Sequence, residues 1–123
     1  MLLDVHTSYV AAVAPVLPHV HALAHITGGG IAGNLVRVLP AGCEAVVDAR
    51  AWSWPPVFRV LMRAGEVSLG EMRRVFNLGV GMIAVAARDD TEAVIAAAKR
   101  AGIAAWIIGE VRAGTQGVKF AER

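Results

Sequence analysis

Apolar runs of strand length alternate with helix-length segments along this chain, and turn-forming residues separate them. Residues 22–27 end at three glycines, and residues 43–48, with Val46 and Val47 supplying β-branched bulk, end at Asp48. Residues 79–86 are almost entirely apolar, which predicts a central strand buried on both faces. Strands that alternate with helices predict an α+β or α/β domain, with a mixed β-sheet covered by helices.

The segments between these strands have helix signals. Pro15 and Pro18 predict a short, interrupted helix within residues 9–21. Four further helices are expected: one after the glycines that stops at Pro40, one beginning near Pro56, one over about residues 69–76 behind a Ser68–Glu71 capping box, and one over 89–101. Residues 105–111 and 118–122 are predicted as two last strands that form a hairpin with each other.

The composition fits one soluble domain. With 123 residues the chain has the length of a single unit, so residues 1–123 are expected to fold together. A hydrophobic content of 56% excludes a disordered chain, and glycine, proline and charge interrupt every apolar stretch before it could cross a membrane. A net charge of +2 without a basic run predicts no nucleic-acid partner. Because the opening residues are unlike a secretory leader and Cys43 is the only cysteine, a cytoplasmic location is expected.

The clearest candidate site is the glycine stretch at residues 28–30, where a strand ends and a helix begins. Gly28, Gly29 and Gly30 let the backbone approach a ligand closely, and the amides at a helix start favour an anion such as phosphate. A tight turn without a ligand is the alternative interpretation. His25 lies three positions earlier and is either a neighbour of this pocket or a satisfied core residue.

Other motifs leave alternatives open or predict an absence. Gly28, Gly30 and Gly33 match the G-x-G-x-x-G pattern, and Asp48 follows at a strand end, so a dinucleotide-binding domain is an alternative. No lysine with serine or threonine follows to make a P-loop. The histidines lack partners at ligand spacing, so no metal is expected to be held by this domain alone. Asn77 before Gly79 is either a second ligand-binding turn or a helix cap.

Four stretches together resemble a known family. They are Ala-His-Ile-Thr-Gly-Gly-Gly at residues 24–30 with Asn34 and Arg-Val-Leu-Pro at 37–40, Trp-Pro-Pro-Val-Phe at 54–58, Phe-Asn-Leu-Gly-Val-Gly-Met at 76–82, and Ile-Gly-Glu-Val at 108–111. In this order and spacing they resemble the C-terminal domain of phosphoribosylformylglycinamidine cyclo-ligases, also called aminoimidazole ribonucleotide synthetases. Of the family's segment near the start of this domain, which ends in tyrosine, Tyr9 is retained.

The resemblance implies an enzyme of purine synthesis that uses ATP to convert formylglycinamidine ribonucleotide to aminoimidazole ribonucleotide, ADP and phosphate. ATP would activate the formyl oxygen as a phosphate ester before an amidine nitrogen attacks. ATP and Mg²⁺ would be bound mainly by the family's N-terminal domain, which this chain lacks, so the chain is expected to fold but to be inactive alone. Its partners would be the small-molecule substrate and its own N-terminal domain, in a homodimer of the full-length protein.

The resemblance also implies which residues line the cleft, and it assigns no catalytic residue. The substrate's phosphate would be bound by the glycine stretch and Asn34, beside His25 and Thr27, with Asn77 and Gly79 as a second wall. The equivalent domain of a related ATP-using enzyme, of the formylglycinamidine ribonucleotide synthetase or thiamine monophosphate kinase type, is the nearest alternative.

Overall fold

The computed structural model describes residues 8–121. In chain order the elements are α1 (Val10–Val13), β1 (Val20–His25), α2 (Gly30–Leu35), β2 (Cys43–Asp48), α3 (Pro56–Ala64), α4 (Leu69–Val75), β3 (Met82–Ala86), α5 (Thr91–Arg100), β4 (Gly109–Ala113) and β5 (Gly117–Ala121). Short 3-10 turns cover Ala14–His19, Val36–Val38 and Arg88–Asp90. The expected mixture of helices with parallel and antiparallel strands is confirmed, but the strands form two sheets rather than one.

The first sheet is an antiparallel pair of β1 and β3. Its register places His25 opposite Met82, and the Ile26 amide donates to the Gly81 carbonyl at 2.9 Å just beyond the strands. The prediction of a central strand over residues 79–86, buried on both faces, is therefore wrong in three respects. The strand begins only at Met82, and within residues 8–121 it pairs with β1 alone. Its middle residue, Ala84, is exposed rather than buried.

The second sheet has the order β4-β2-β5, so the predicted hairpin of the last two strands is wrong. β2 lies between them, antiparallel to β4 and parallel to β5. A buried carboxylate connects the three strands: Glu44 lies 2.9 Å from Lys119 Nζ on β5 and 3.1 Å from Arg112 Nε on β4. These cations hold the pKa of Glu44 below its ordinary value, with Lys119 the larger cause. An ionised Glu44 in this position favours β2 as the central strand.

The same topology excludes the dinucleotide-binding alternative. That fold needs the glycine-bearing strand and the strand ending in the acidic residue to be neighbours in one parallel sheet. Here β1 and β2 belong to different sheets. Asp48 is also engaged locally, since its Oδ1 accepts from the Arg50 amide at 2.9 Å and from Arg50 Nε at 3.2 Å, which lowers its pKa.

The predicted helix interruption, the predicted capping box and the predicted helix stop at Gly102 are confirmed. The prolines interrupt the first helix after Val13 and leave a 3-10 turn. Ser68 Oγ accepts the Glu71 amide at 3.2 Å and begins α4, as the capping box predicted. Gly102, at a φ of 75°, follows the end of α5. No helix within residues 8–121 is long and apolar enough to cross a membrane.

The core joins the two sheets through α2. Ile31 and Leu35 of α2 are buried with Ala24 and Ile83 of the first sheet and with Val47 of the second. On its other side α2 packs against α4. The start of α2, which follows the glycine stretch, is therefore held by buried contacts on several sides.

Candidate functional site

Two irregular turns meet at one end of the β1–β3 sheet. The first, the glycine turn (residues 27–30), follows β1, and the second, the asparagine turn (residues 77–81), precedes β3. Because the two strands are antiparallel, the end of β1 lies beside the beginning of β3. The Ile26 amide, directly before the glycine turn, donates to the Gly81 carbonyl of the asparagine turn and holds the two turns side by side. The structure thus brings together the two glycine-bearing stretches that the sequence singled out separately.

The glycine turn needs its glycines for two different reasons. Gly29 and Gly30 have φ values of 99° and 67°, in the left-handed region that favours glycine. Gly30 is buried, and a Cβ there would collide with the Arg73 carbonyl oxygen of α4. Gly28 and Gly29 are exposed, and a Cβ at Gly28 would meet nothing within 4 Å. Gly30 therefore serves packing, whereas Gly28 and Gly29 present open backbone to a ligand.

The buried side chain of Asn34 holds the glycine turn through hydrogen bonds. Its side chain is buried, and Nδ2 donates to the carbonyls of Gly30 at 2.8 Å, Thr27 at 3.2 Å and Gly28 at 3.3 Å. Its Oδ1 accepts from the Thr27 hydroxyl at 3.4 Å. The Asn34 amide is thus engaged in positioning the turn, and its expected contact with a ligand stays a prediction. Carbonyls that point at the Asn34 amide do not point at a phosphate, so this arrangement lowers the negative charge facing a bound anion.

The asparagine turn is fixed by its own side chain and by the tryptophan-proline segment. Asn77 Oδ1 accepts the Gly79 amide at 2.9 Å, and Gly79 has a φ of 95°. Leu78 also has a positive φ of 55°, and its carbonyl accepts from Trp52 Nε1 at 2.9 Å. A Cβ at Gly79 would collide with the Pro55 ring. Asn77 and Gly79 therefore shape the turn, and the Trp52 indole holds it in place.

His25 lies exposed at the end of β1, so its interpretation as a core residue is wrong. Burial alternates here, with Ala24 and Ile26 buried and His25 and Thr27 exposed, which puts the imidazole and the hydroxyl on one side of the chain. The Tyr9 ring stands edge-on to the His25 ring, with centroids 6.5 Å apart. These side chains provide a hydroxyl and an imidazole beside the open glycine backbone.

Tyr9 and Trp52 are the residues of this site that were not among the expected site residues. The Tyr9 hydroxyl packs so closely against Gly81 that any side chain at residue 81 would collide with it. The signals in the sequence were the retained tyrosine and the glycine at residue 81 within a strand-like run, which indicates close approach of another group. Nothing in the sequence indicated that the approaching group was Tyr9, which lies far from Gly81 along the chain.

The site as described holds neither a set of metal ligands nor a pair of carboxylates. Within residues 8–121, no group of three or more His, Cys, Asp or Glu side chains could hold a metal ion. The side chains at the two turns offer hydroxyl, imidazole and amide groups around exposed glycine backbone. This set suits recognition of an anion through hydrogen bonds.

A comparison with protein families agrees with this geometry. The family model described as the C-terminal domain of AIR synthase related proteins matches residues 2–121. The match includes both turns, the Trp-Pro-Pro segment and all the strands. Members of this family are ATP-using enzymes. The chain therefore belongs to the AIR synthase related family, as its C-terminal domain.

Proposed function

We propose that this chain is the substrate-side domain of an ATP-dependent cyclo-ligase that converts formylglycinamidine ribonucleotide to aminoimidazole ribonucleotide, ADP and phosphate. The observation that supports the proposal most is the meeting of the glycine turn with the asparagine turn at one end of the β1–β3 sheet. In this proposal the glycine turn binds the 5′-phosphate of the substrate, and the asparagine turn forms the opposite wall.

The chemistry of the glycine turn supports a phosphate more than a neutral ligand. Gly28 and Gly29 leave room for phosphate oxygens to reach the backbone, since a Cβ at Gly28 would have no neighbour within 4 Å. Asn34 draws three carbonyls away from the open side. His25 lies on the exposed side of the adjoining strand end and can donate a hydrogen bond there, whereas the Thr27 hydroxyl already donates its one hydrogen to Asn34 Oδ1.

ATP and Mg²⁺ belong, in this proposal, to the N-terminal domain that the family resemblance implies. Among residues 8–121, no three His, Cys, Asp or Glu side chains lie close enough together to hold a metal ion by themselves. The role of this chain is therefore to bind and orient the phosphate-bearing substrate. Its partners would be that N-terminal domain and, in the full-length protein, a second subunit.

A thermal-shift experiment tests this proposal with the 123-residue chain. Formylglycinamidine ribonucleotide should raise the Tm, whereas the corresponding riboside without phosphate should not. Gly29→Ala should remove the shift, because the left-handed φ of 99° is strained for alanine and the added methyl narrows the open face. Gly102→Ala is the matched control, since Gly102 has a φ of 75°, equally open surroundings and a position beyond α5.

The outcomes separate the candidate enzymes. Protection by thiamine monophosphate instead of formylglycinamidine ribonucleotide would assign the domain to the kinase-type relative. Equal loss of protection in Gly29→Ala and Gly102→Ala would mean that strain alone, rather than the glycine turn, governs the effect. Protection by neither phosphate ester would contradict the proposal.

A further inference from the structure

A cavity that is separate from the two turns lies between the segment after β2 and helix α3. Its volume is about 560 Å³, and none of residues 27–30 or 77–81 lines it. Its walls include two indoles, Trp52 and Trp54, and three charged side chains, Arg59, Arg63 and Glu66. A volume of this size lies within the range of small-molecule sites, which is roughly 300–1,000 Å³. We call it the tryptophan cavity.

The aromatic wall of this cavity is held in place. Trp52 Nε1 donates to the Leu78 carbonyl at 2.9 Å, so its ring orientation is fixed and its only polar atom is satisfied. Pro55 and Pro56 follow directly and restrict the backbone between the indoles and α3. Both indoles are half-buried, which leaves part of each ring accessible. The fixed Trp52 ring offers a planar ligand a surface for stacking at low entropic cost, and Trp54 adds a second indole to the same wall.

The cationic wall comes from one face of α3. Arg59 and Arg63 are four residues apart on this helix, so their side chains lie on the same face one turn from each other. Both are exposed, and within the described part of the chain neither forms an ion pair. By contrast, Arg50, Arg74 and Arg112 each pair with a carboxylate. Two guanidinium groups without carboxylate partners on one cavity wall can bind the oxygens of a phosphate together.

Glu66 adds a hydrogen-bond acceptor at the end of the same helix. It follows α3 with a φ of 50°, lines the cavity, and has no ion-pair partner among residues 8–121. A carboxylate there would repel a second anionic group but would accept hydrogen bonds from hydroxyl groups. The ligand should therefore have a planar ring, one phosphate and free hydroxyls between them.

We propose that the tryptophan cavity binds a nucleoside 5′-monophosphate. The base stacks on the Trp52 and Trp54 indoles, Arg59 and Arg63 bind the phosphate, and Glu66 accepts from the ribose hydroxyls. None of the residues of the two turns lines this cavity, and the two sites are connected through Trp52, whose Nε1 donates to the Leu78 carbonyl of the asparagine turn.

Isothermal titration calorimetry of the 123-residue chain with adenosine 5′-monophosphate tests the proposal. Binding should be saturable and should quench tryptophan fluorescence, with adenosine and inorganic phosphate each binding at least about tenfold more weakly. Arg63→Gln and Trp54→Leu should each weaken binding by about tenfold, because each removes one of the two recognition elements. Arg100→Gln is the control: Arg100 is an exposed arginine at the end of a helix, α5, and does not line the cavity.

The remaining outcomes overturn the proposal. If Arg63→Gln and Arg100→Gln bound the nucleotide with equal affinity, α3 would not bind the phosphate. If inorganic phosphate bound as tightly as the nucleotide, the base would not stack on the indoles. Loss of nucleotide binding in Gly29→Ala, with Arg63→Gln unaffected, would place the nucleotide at the glycine turn. Circular dichroism of each variant confirms that the fold is retained, and an unfolded Trp54→Leu is replaced by Trp54→Phe, which keeps a ring.

Discussion

Replacing Asn34 by alanine should destabilise the domain by about 2 kcal/mol and disorder the glycine turn. The side chain is buried, with 6% of its surface exposed, and donates one short hydrogen bond, to Gly30 at 2.8 Å. Two longer ones go to Thr27 and Gly28, at 3.2 and 3.3 Å. A net value of about 1 kcal/mol for the short bond and about half of that for each longer bond gives the total of about 2 kcal/mol.

Urea and thermal unfolding followed by circular dichroism measure this loss. For a domain of this length, about 2 kcal/mol corresponds to a decrease in Tm of roughly 8 °C. Asn34→Asp separates the geometry from the hydrogen-bond donors, since it keeps the shape but points a carboxylate at three carbonyls. It should be at least as destabilising at neutral pH and should recover partly at low pH, where the protonated carboxyl can donate.

Asn77→Ala is the matched comparison. The Asn77 side chain accepts one hydrogen bond, from the Gly79 amide, in an exposed turn, so its loss should cost about 1 kcal/mol or less. If Asn34→Ala lost no more stability than Asn77→Ala, the positioning role assigned to Asn34 would be refuted. The substrate should also no longer raise the Tm of Asn34→Ala, because the glycine turn is disordered in this variant.

Three further predictions concern the packing of Gly30, the ion pairs of Glu44 and the activity of the chain. Gly30→Ala should cost about 3 kcal/mol in chemical unfolding, because steric collision with α4 adds to the strain of a φ of 67°, whereas the more open Gly29→Ala should cost about 1 kcal/mol; equal losses would contradict this packing. Glu44→Gln should lower the free energy of unfolding at neutral pH, because Lys119 and Arg112 depress the folded-state pKa of Glu44. The wild type should lose this advantage as the pH falls below the ordinary pKa of 4.5. A difference in stability that does not depend on pH would refute the ion pairs. The 123-residue chain with ATP and formylglycinamidine ribonucleotide should give no aminoimidazole ribonucleotide, and turnover above background would show that it needs no ATP-binding domain.

The sequence predicted local structure well where the cause lies within a few residues. The capping serine begins α4, the prolines interrupt the first helix, and the three glycines separate β1 from α2. It also singled out both turns of the candidate site from their glycines. In each case the deciding interaction is a restricted φ, a missing amide or a side-chain hydrogen bond to a near neighbour. Such interactions are readable without knowledge of the fold.

Asn34 shows what the sequence leaves undecided. From the sequence, an amide side chain after a glycine stretch could donate to a ligand or to the backbone. In the folded domain the Asn34 side chain is buried, and its amide donates to carbonyls of the preceding turn. His25 shows the opposite case, because the register of β1 leaves it exposed.

The sequence by itself determined most of the helices and strands, the two turns and, through four motifs in order, the family, but the strand it placed over residues 105–111 is Gly109–Ala113 in the structure. Tertiary structure alone decided that β2 separates β4 from β5, that β1 pairs with β3, and that Tyr9 packs on Gly81. The physical reason is the range of the interactions. The hydrogen bond between Glu44 and Arg112 spans 68 positions, and that between Trp52 and Leu78 spans 26. Neither contact leaves a periodic pattern in the chain, so only the folded arrangement shows which distant groups satisfy each other.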